Sequence, residues 1–153
     1  VLVPEVGRGT PDVALYAGLV AGLEVPFMLA MPLLSRRAER TKLIAAGTVL
    51  YCVHLLGLPL LAGSPLLWLL ILPAAAGGAV ILTLPIAYLQ DLLAARPGTG
   101  ASLMALQKVV GDVLAALCFA LGTAVSGYGL VAVLGTAVAL GGALTLSLAD
   151  RRQ

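Results

Sequence analysis

The sequence predicts an all-α membrane protein that crosses the bilayer five times. Of its 153 residues, 61% are hydrophobic and 10% are charged, and the mean hydropathy is +1.09. A water-soluble domain has about 25% charged residues. The apolar residues also form long runs, and a helix needs about 20 such residues to cross a bilayer. Together these observations exclude a soluble globular domain.

Charged residues, glycines and prolines divide the chain into five apolar segments. The segments are separated by the polar connections SRRAERTK, GSP, QDLLAARPGTG and SGYG. Transmembrane strands would alternate apolar and polar residues over about ten positions, and no segment alternates in this way. We therefore expect helices over residues 13–34, 43–62, 66–89, 102–125 and 130–148.

Basic residues predict the orientation of the chain, because loops that stay in the cytoplasm retain Lys and Arg. Seven of the nine basic residues fall in alternate connections: Arg36, Arg37, Arg40, Lys42, Arg96, Arg151 and Arg152. Arg8 is alone on the opposite side. We predict a multi-pass protein of the cell membrane, surrounded by the lipid bilayer, with its N-terminus outside and its C-terminus in the cytoplasm.

Several functions are excluded by what the sequence lacks. A net charge of +2 gives no indication of nucleic-acid binding. Cys52 and Cys118 lie inside apolar runs with no CxxC or Cys/His spacing, so neither a disulfide framework nor a metal site is expected. We expect no cofactor and no enzymatic activity, because His54 has no partner whose spacing specifies catalysis.

A single acid, Glu24, lies near the centre of the apolar residues 14–34, in the stretch AGLEVPFML. An acidic side chain at the centre of a membrane helix costs about 2.5–3.5 kcal/mol even on lenient insertion scales. Such a group therefore normally faces a bundle interior or a water-filled cavity. We predict that Glu24 lies on a pathway for a solute or for protons.

The fourth predicted helix carries the polar residues Gln107, Lys108 and Asp112. Residues four apart share a helix face, so the lysine and the aspartate can neutralise each other within the membrane. The two are either a self-contained ion pair or, with Gln107, part of the lining of a central cavity. Because Lys before Asp is the weaker order for such a pair, Glu24 is an alternative partner for Lys108.

The only histidine, His54, lies in the middle of the second predicted helix. An imidazole titrates near neutral pH, so His54 is a candidate proton relay. The alternative is a neutral imidazole that is hydrogen-bonded to a neighbouring helix.

Polar residues also mark the predicted cytoplasmic ends of the helices. Gln90 and Asp91 end the third helix, where we predict gating contacts with Arg96 or with the basic connection between the first two helices. The candidate gating residues of that connection are Arg36, Arg37 and Arg40. Glu39 is a further candidate for a gating salt bridge. The alternative is a set of solvated charges that fix topology and attract anionic lipid.

Three stretches of the sequence are distinctive. They are AGLEVPFML in the first predicted helix, SRRAERTK after it, and YLQDLLAARPGTGASLM from the third helix into the fourth. They resemble the C-terminal half of the sugar efflux transporter family of the major facilitator superfamily. The resemblance implies that the five helices are the eighth to twelfth of a transporter. The fourth helix departs from the family pattern, because it contains QKVVGD where the family tends to show small polar residues and a single basic one.

The first residues, VLVPEVGRGTPD, predict that the chain is a fragment. They start with Val1 rather than Met, and they are too short and too polar for a secretory signal. We interpret VLVP as the tail of a preceding helix. A six-helix N-terminal half would then be the partner that this chain needs in order to transport.

Three hypotheses about function follow. The first is part of a secondary transporter that exports a sugar or related small solute in exchange for protons, by rocking around a site at the membrane midplane. A multidrug or other solute permease is its nearest variant. The second is a membrane enzyme, for which no nucleophile and base are paired. The third is a structural module without a substrate, in which Glu24, Lys108 and Asp112 would be needlessly costly.

Overall fold

The computed structural model describes residues 10–150. Four predicted features lie outside the described residues: the VLVP segment, Arg8, Arg151 and Arg152. The structural statements below concern residues 10–150 alone.

Five long helices account for nearly all of the described chain. They are α1 (Thr10–Leu34), α2 (Arg40–Leu61), α3 (Ile71–Leu92), α4 (Pro97–Val125) and α5 (Tyr128–Asp150). A short 3-10 helix, Pro65–Leu70, leads directly into α3. Residues 10–150 contain no strand, and all five helices are long and apolar enough to cross a membrane. The predicted all-α polytopic fold is confirmed.

Four of the five helices begin earlier than the positions of the apolar runs suggest, whereas α3 begins later, at Ile71, because the 3-10 helix Pro65–Leu70 precedes it. The largest of the early starts is that of α4, which begins at Pro97 rather than at residue 102. Proline suits the first turn of a helix, because its missing N–H would have no partner there in any case. Polar residues near membrane helix ends are likewise compatible with helix, so hydropathy alone places the starts too late.

The connections between the helices are short, so successive helices run in opposite directions. The tightest connection joins α4 to α5, where Gly127 adopts a φ of 83° that favours glycine. We call the end that carries residues 35–39, residues 93–96 and Asp150 the basic end. The opposite end carries the start of α1, residues 62–64 and Gly127.

Helix α3 lies at the centre of the bundle. It packs against α1 and against α2, while α2 also packs against α5, and α5 packs against α4. The buried part of α3 is rich in small residues, in the stretch AAAGGAV from Ala74 to Val80. Small side chains let neighbouring helix backbones approach closely. The sequence of this stretch therefore explains why α3 has a helix on each side.

The contact between α2 and α3 depends on glycine. A Cβ added at Gly77 would lie 2.7 Å from both the carbonyl oxygen of Gly47 and the backbone nitrogen of Tyr51. A Cβ added at Gly47 would in turn overlap the side chain of Val80. The two helices are thus in backbone contact, with no room for another methyl group.

Towards the basic end, this contact continues into a small hydrophobic core formed by Met31, Ile44, Val80 and Leu84. Elsewhere large apolar side chains face outward, including Leu29, Leu60 and Val125. An outward apolar surface of this kind suits lipid or further helices.

We expect Gly77→Ala to destabilise the bundle, because its methyl group would collide with backbone rather than with a movable side chain. Overpacking of this kind costs about 1–3 kcal/mol. The free energy of unfolding in detergent measures the effect. Gly141→Ala is the matched control, because a Cβ there meets nothing within 4 Å. Equal stability of the two variants would contradict the close α2–α3 packing.

Candidate functional site

Glu24 lies near the middle of α1, on the side that faces α3. A Cβ added at Gly78 of α3 would overlap the Oε1 atom of Glu24 and would lie 3.2 Å from its Cδ. Glu24 is partly buried and Gly78 is buried. Because Gly78 has no side chain, the carboxylate lies directly against the backbone of α3. The acid that the sequence marks as costly therefore faces a neighbouring helix.

No basic side chain neutralises Glu24 within residues 10–150. The salt bridges there join Arg40 to Asp91, Lys42 to Glu39 and Lys108 to Asp112. The phenol of Tyr51 on α2 lies near enough to the Glu24 carboxylate to be affected by its charge. A carboxylate at membrane depth without an opposite charge requires water, a proton or another polar partner.

His54 is buried between α1 and α2, with 8% of its surface exposed. Its Nδ1 is 3.2 Å from the hydroxyl of Tyr16 on α1, and these two rings are stacked with centroids 6.1 Å apart. Trp68 lies 6.0 Å from the ring of Tyr16. His54 is therefore hydrogen-bonded to a neighbouring helix, as one of the two sequence alternatives requires. Its role as a proton relay stays a prediction.

Tyr51 connects Glu24 to His54. Its ring centroid is 5.6 Å from that of His54, and its phenol lies near the Glu24 carboxylate. We call Glu24, Tyr51, His54 and Tyr16 the polar cluster. It extends from the middle of the membrane-spanning region towards the opposite end of the bundle.

Two members of this region, Tyr51 and Gly78, are absent from the sequence-based site. Tyr51 and His54 are three residues apart on α2 and so share a face, which is a signal that could have linked them. The hydroxyl of Tyr16, near the start of α1, is bonded inward to His54.

Lys108 and Asp112 form an ion pair of 2.9 Å on α4. Their side chains are 76% and 69% exposed, and Gln107 beside them is also exposed. Lys108 is thus paired with Asp112 in this structure rather than with Glu24. The described helices leave the pair uncovered, so its geometry is compatible with a cavity lining and equally with a self-contained pair.

The basic end is held together by contacts between helices. Arg40 at the start of α2 forms a salt bridge with Asp91 near the end of α3. The hydroxyl of Tyr88 on α3 donates to Asp150 of α5 at 3.3 Å. These side chains border an open groove of about 450 Å³. Asp91 therefore contacts the basic connection, which is one of the two contacts expected from the sequence.

The other residues at this end make fewer connections. Glu39 pairs with Lys42 at 3.1 Å within the same segment of chain, so this pair joins no two helices. Arg36 and Arg37 are exposed in the turn after α1. Gln90 is exposed and lines a smaller cavity between α3 and α4. The structure thus brings Arg40 and Asp91 together and leaves the rest of the predicted gating residues apart.

Comparison with known proteins agrees with the resemblance found in the sequence. No protein-family model and no solved structure matches this chain. The chain is 34% identical over 139 residues to a protein of Deinococcus radiodurans described as a "Putative sugar efflux transporter". The alignment covers 90% of this chain and 36% of the relative, so the chain spans about a third of that protein's length. The chain is therefore similar to part of a transporter rather than to an enzyme, and its five apolar helices fit that description.

Proposed function

We propose that this chain is part of a secondary active transporter of the major facilitator superfamily, which exports sugars or related small solutes by alternating access in exchange for protons. Glu24 is the central residue of this mechanism. The observation that carries the proposal is the position of its carboxylate, at membrane depth, against α3, and without a basic partner in residues 10–150. The name of the Deinococcus radiodurans relative supports the sugar as the solute class.

The chemistry of a lone carboxylate suits exchange of a sugar for a proton. An ionised carboxylate accepts hydrogen bonds at both oxygens, and sugar hydroxyls are good donors. A protonated carboxyl loses part of this accepting capacity but is less costly within the membrane. Sugar and proton would therefore compete for Glu24, which is the requirement for antiport.

The polar cluster gives Glu24 a route towards the opposite end of the bundle. Tyr51, His54 and Tyr16 place hydroxyl and imidazole groups between the carboxylate and that end. These groups can donate and accept hydrogen bonds. We propose that protons reach Glu24 from that side, which topology rules would place outside the cell.

The six-helix half expected before this chain would supply the other wall of the solute pathway. In this arrangement Lys108, Asp112 and Gln107 face the same space from α4. Their exposure within the described bundle supports a position on the surface that the other half covers. Salt bridges at the basic end then open and close as the two halves rock.

The first test replaces the acid. Glu24→Gln keeps the shape of the side chain and removes its charge, so loss of a hydrogen bond to a charged group should lower solute affinity by about 1.5–3 kcal/mol, or about ten- to a hundredfold. Proton-coupled solute flux in vesicles that contain the complete transporter measures the loss. A panel of neutral sugars and cationic drugs identifies the solute class.

Asp12→Asn is the control for this test, because Asp12 is an exposed acid in the first turn of the same helix. It should retain flux. Full flux in Glu24→Gln would instead make the acid a structural residue that transport does not need, and flux of drugs alone would replace the sugar with a drug as the solute.

The second test exchanges the two charges on α4. The double variant K108D/D112K keeps an ion pair and places the acid before the lysine, which is the better order on a helix. Folding and membrane insertion should therefore be preserved. We expect reduced solute flux if the pair lines the pathway, and we expect each single neutralisation to reduce flux as well. Normal flux in the exchanged variant would make the pair a structural element.

The third test concerns the basic end. Both partners of the salt bridge between Arg40 and Asp91 are partly exposed, and exposed pairs contribute only about 0–1 kcal/mol to stability. Asp91→Asn should therefore change transport rate more than thermal stability. Glu39→Gln is the matched control, since its pair with Lys42 lies within one segment. Equal flux in the two variants would remove the gating role of Asp91.

A further inference from the structure

Two adjacent glycines on α3 have different surroundings. A methyl group at Gly77 would meet the backbone of α2, at Gly47 and Tyr51. The three atoms nearest to a methyl group at Gly78 would all belong to the side chain of Glu24: Oε1, Cδ and Cγ. Backbone cannot move aside without shifting a helix, whereas the end of a glutamate can rotate about its side-chain bonds. The lack of a side chain at Gly77 therefore permits close packing of α2, whereas its lack at Gly78 leaves room for the Glu24 side chain.

The position of Gly78 also has a consequence for the charge. Any larger residue would raise the surface of α3 under the carboxylate and push it away from the helix. Tyr51 lies near the carboxylate on α2, whose backbone contacts α3 at the adjacent Gly77. Displacement of the carboxylate would therefore also change its distance from Tyr51.

We infer that Gly78 is a positioning residue for Glu24: the bare α3 backbone at this position seats the carboxylate between α1, α2 and α3 and so sets where it meets its solute or proton. The location of the carboxylate rests on geometry alone. The consequence for transport rests on the function proposed above. The two parts are separable by experiment.

The first experiment measures the accessibility of Glu24 without reference to transport. Dicyclohexylcarbodiimide is an apolar reagent that reacts with carboxyl groups in membranes, and mass spectrometry of the digested protein assigns the label to Glu24 or to Asp112. In Gly78→Ala the displaced carboxylate should react about threefold faster or more, because a packed contact no longer shields it. Gly141→Ala, with open space around the added methyl, should react at the wild-type rate.

The second experiment tests whether Gly78 acts through Glu24. Aspartate is shorter than glutamate by one methylene, or about 1.5 Å, so its carboxyl carbon takes the place of the glutamate Cγ, 3.7 Å from the added methyl, and the overlap with the methyl should be relieved. In the Glu24→Asp background, Gly78→Ala should therefore change neither the labelling rate nor the coupled flux. In the wild-type background, it should lower the flux. This non-additivity is the signature of two groups in contact.

The outcomes distinguish the two proposals. An unchanged rate of Glu24 labelling in Gly78→Ala, or the same effect in both backgrounds, overturns the inference about Gly78. Faster labelling of Glu24 in Gly78→Ala, combined with normal flux in Glu24→Gln, supports the positioning of the carboxylate by Gly78. It overturns the transport role of the acid.

A variant that fails to fold also gives an answer. If Gly78→Ala alone is unstable, the double variant E24A/G78A removes the group with which the methyl collides. Recovery of the folded protein in the double variant supports the contact between Gly78 and Glu24. Failure of the double variant to recover would assign Gly78 to helix packing and overturn the inference.

Discussion

The structure depends on the placement of one carboxylate in a region that disfavours charge. An acid at the centre of a membrane helix costs about 2.5–3.5 kcal/mol, and this bundle gives Glu24 no salt bridge within residues 10–150. It instead gives the acid a bare helix backbone at Gly78 and a phenol at Tyr51. In the proposed function, a carboxylate without an opposite charge is available to a proton or a donor hydroxyl.

The packing of the bundle produces this environment. Small residues in α3 allow α1 and α2 to approach it closely from two sides. The same backbone contact that joins α2 to α3 at Gly77 brings Tyr51 close to Glu24. Helix packing therefore depends on Gly77, and the proposed function depends on the adjacent Gly78 of the same helix. The contacts at the basic end are of another kind, because they join exposed side chains that can separate at little cost.

The sequence predicts the five helices well, because hydropathy is a local property and charges interrupt it clearly. It also identifies Glu24, since the cost of a charge depends on its depth in an apolar run. It does not predict which helices touch, because helices that are apolar on every side carry little pattern to mark one face. Gly78 could not be chosen from eighteen glycines, and Tyr51 was marked only by its position three residues before His54 on the same helix face. Both acquire meaning only from contacts between helices.

The central claim is that solute and Glu24 meet directly. Protection of the carboxyl group by solute tests it: Glu24 in the complete transporter is labelled with carbodiimide in the presence and absence of a transported sugar, and the label at the exposed Asp12 serves as an internal reference outside the site. The account predicts that saturating sugar slows labelling of Glu24 and leaves the reference unchanged. The same rate at Glu24 with and without a sugar that the protein demonstrably transports would contradict it.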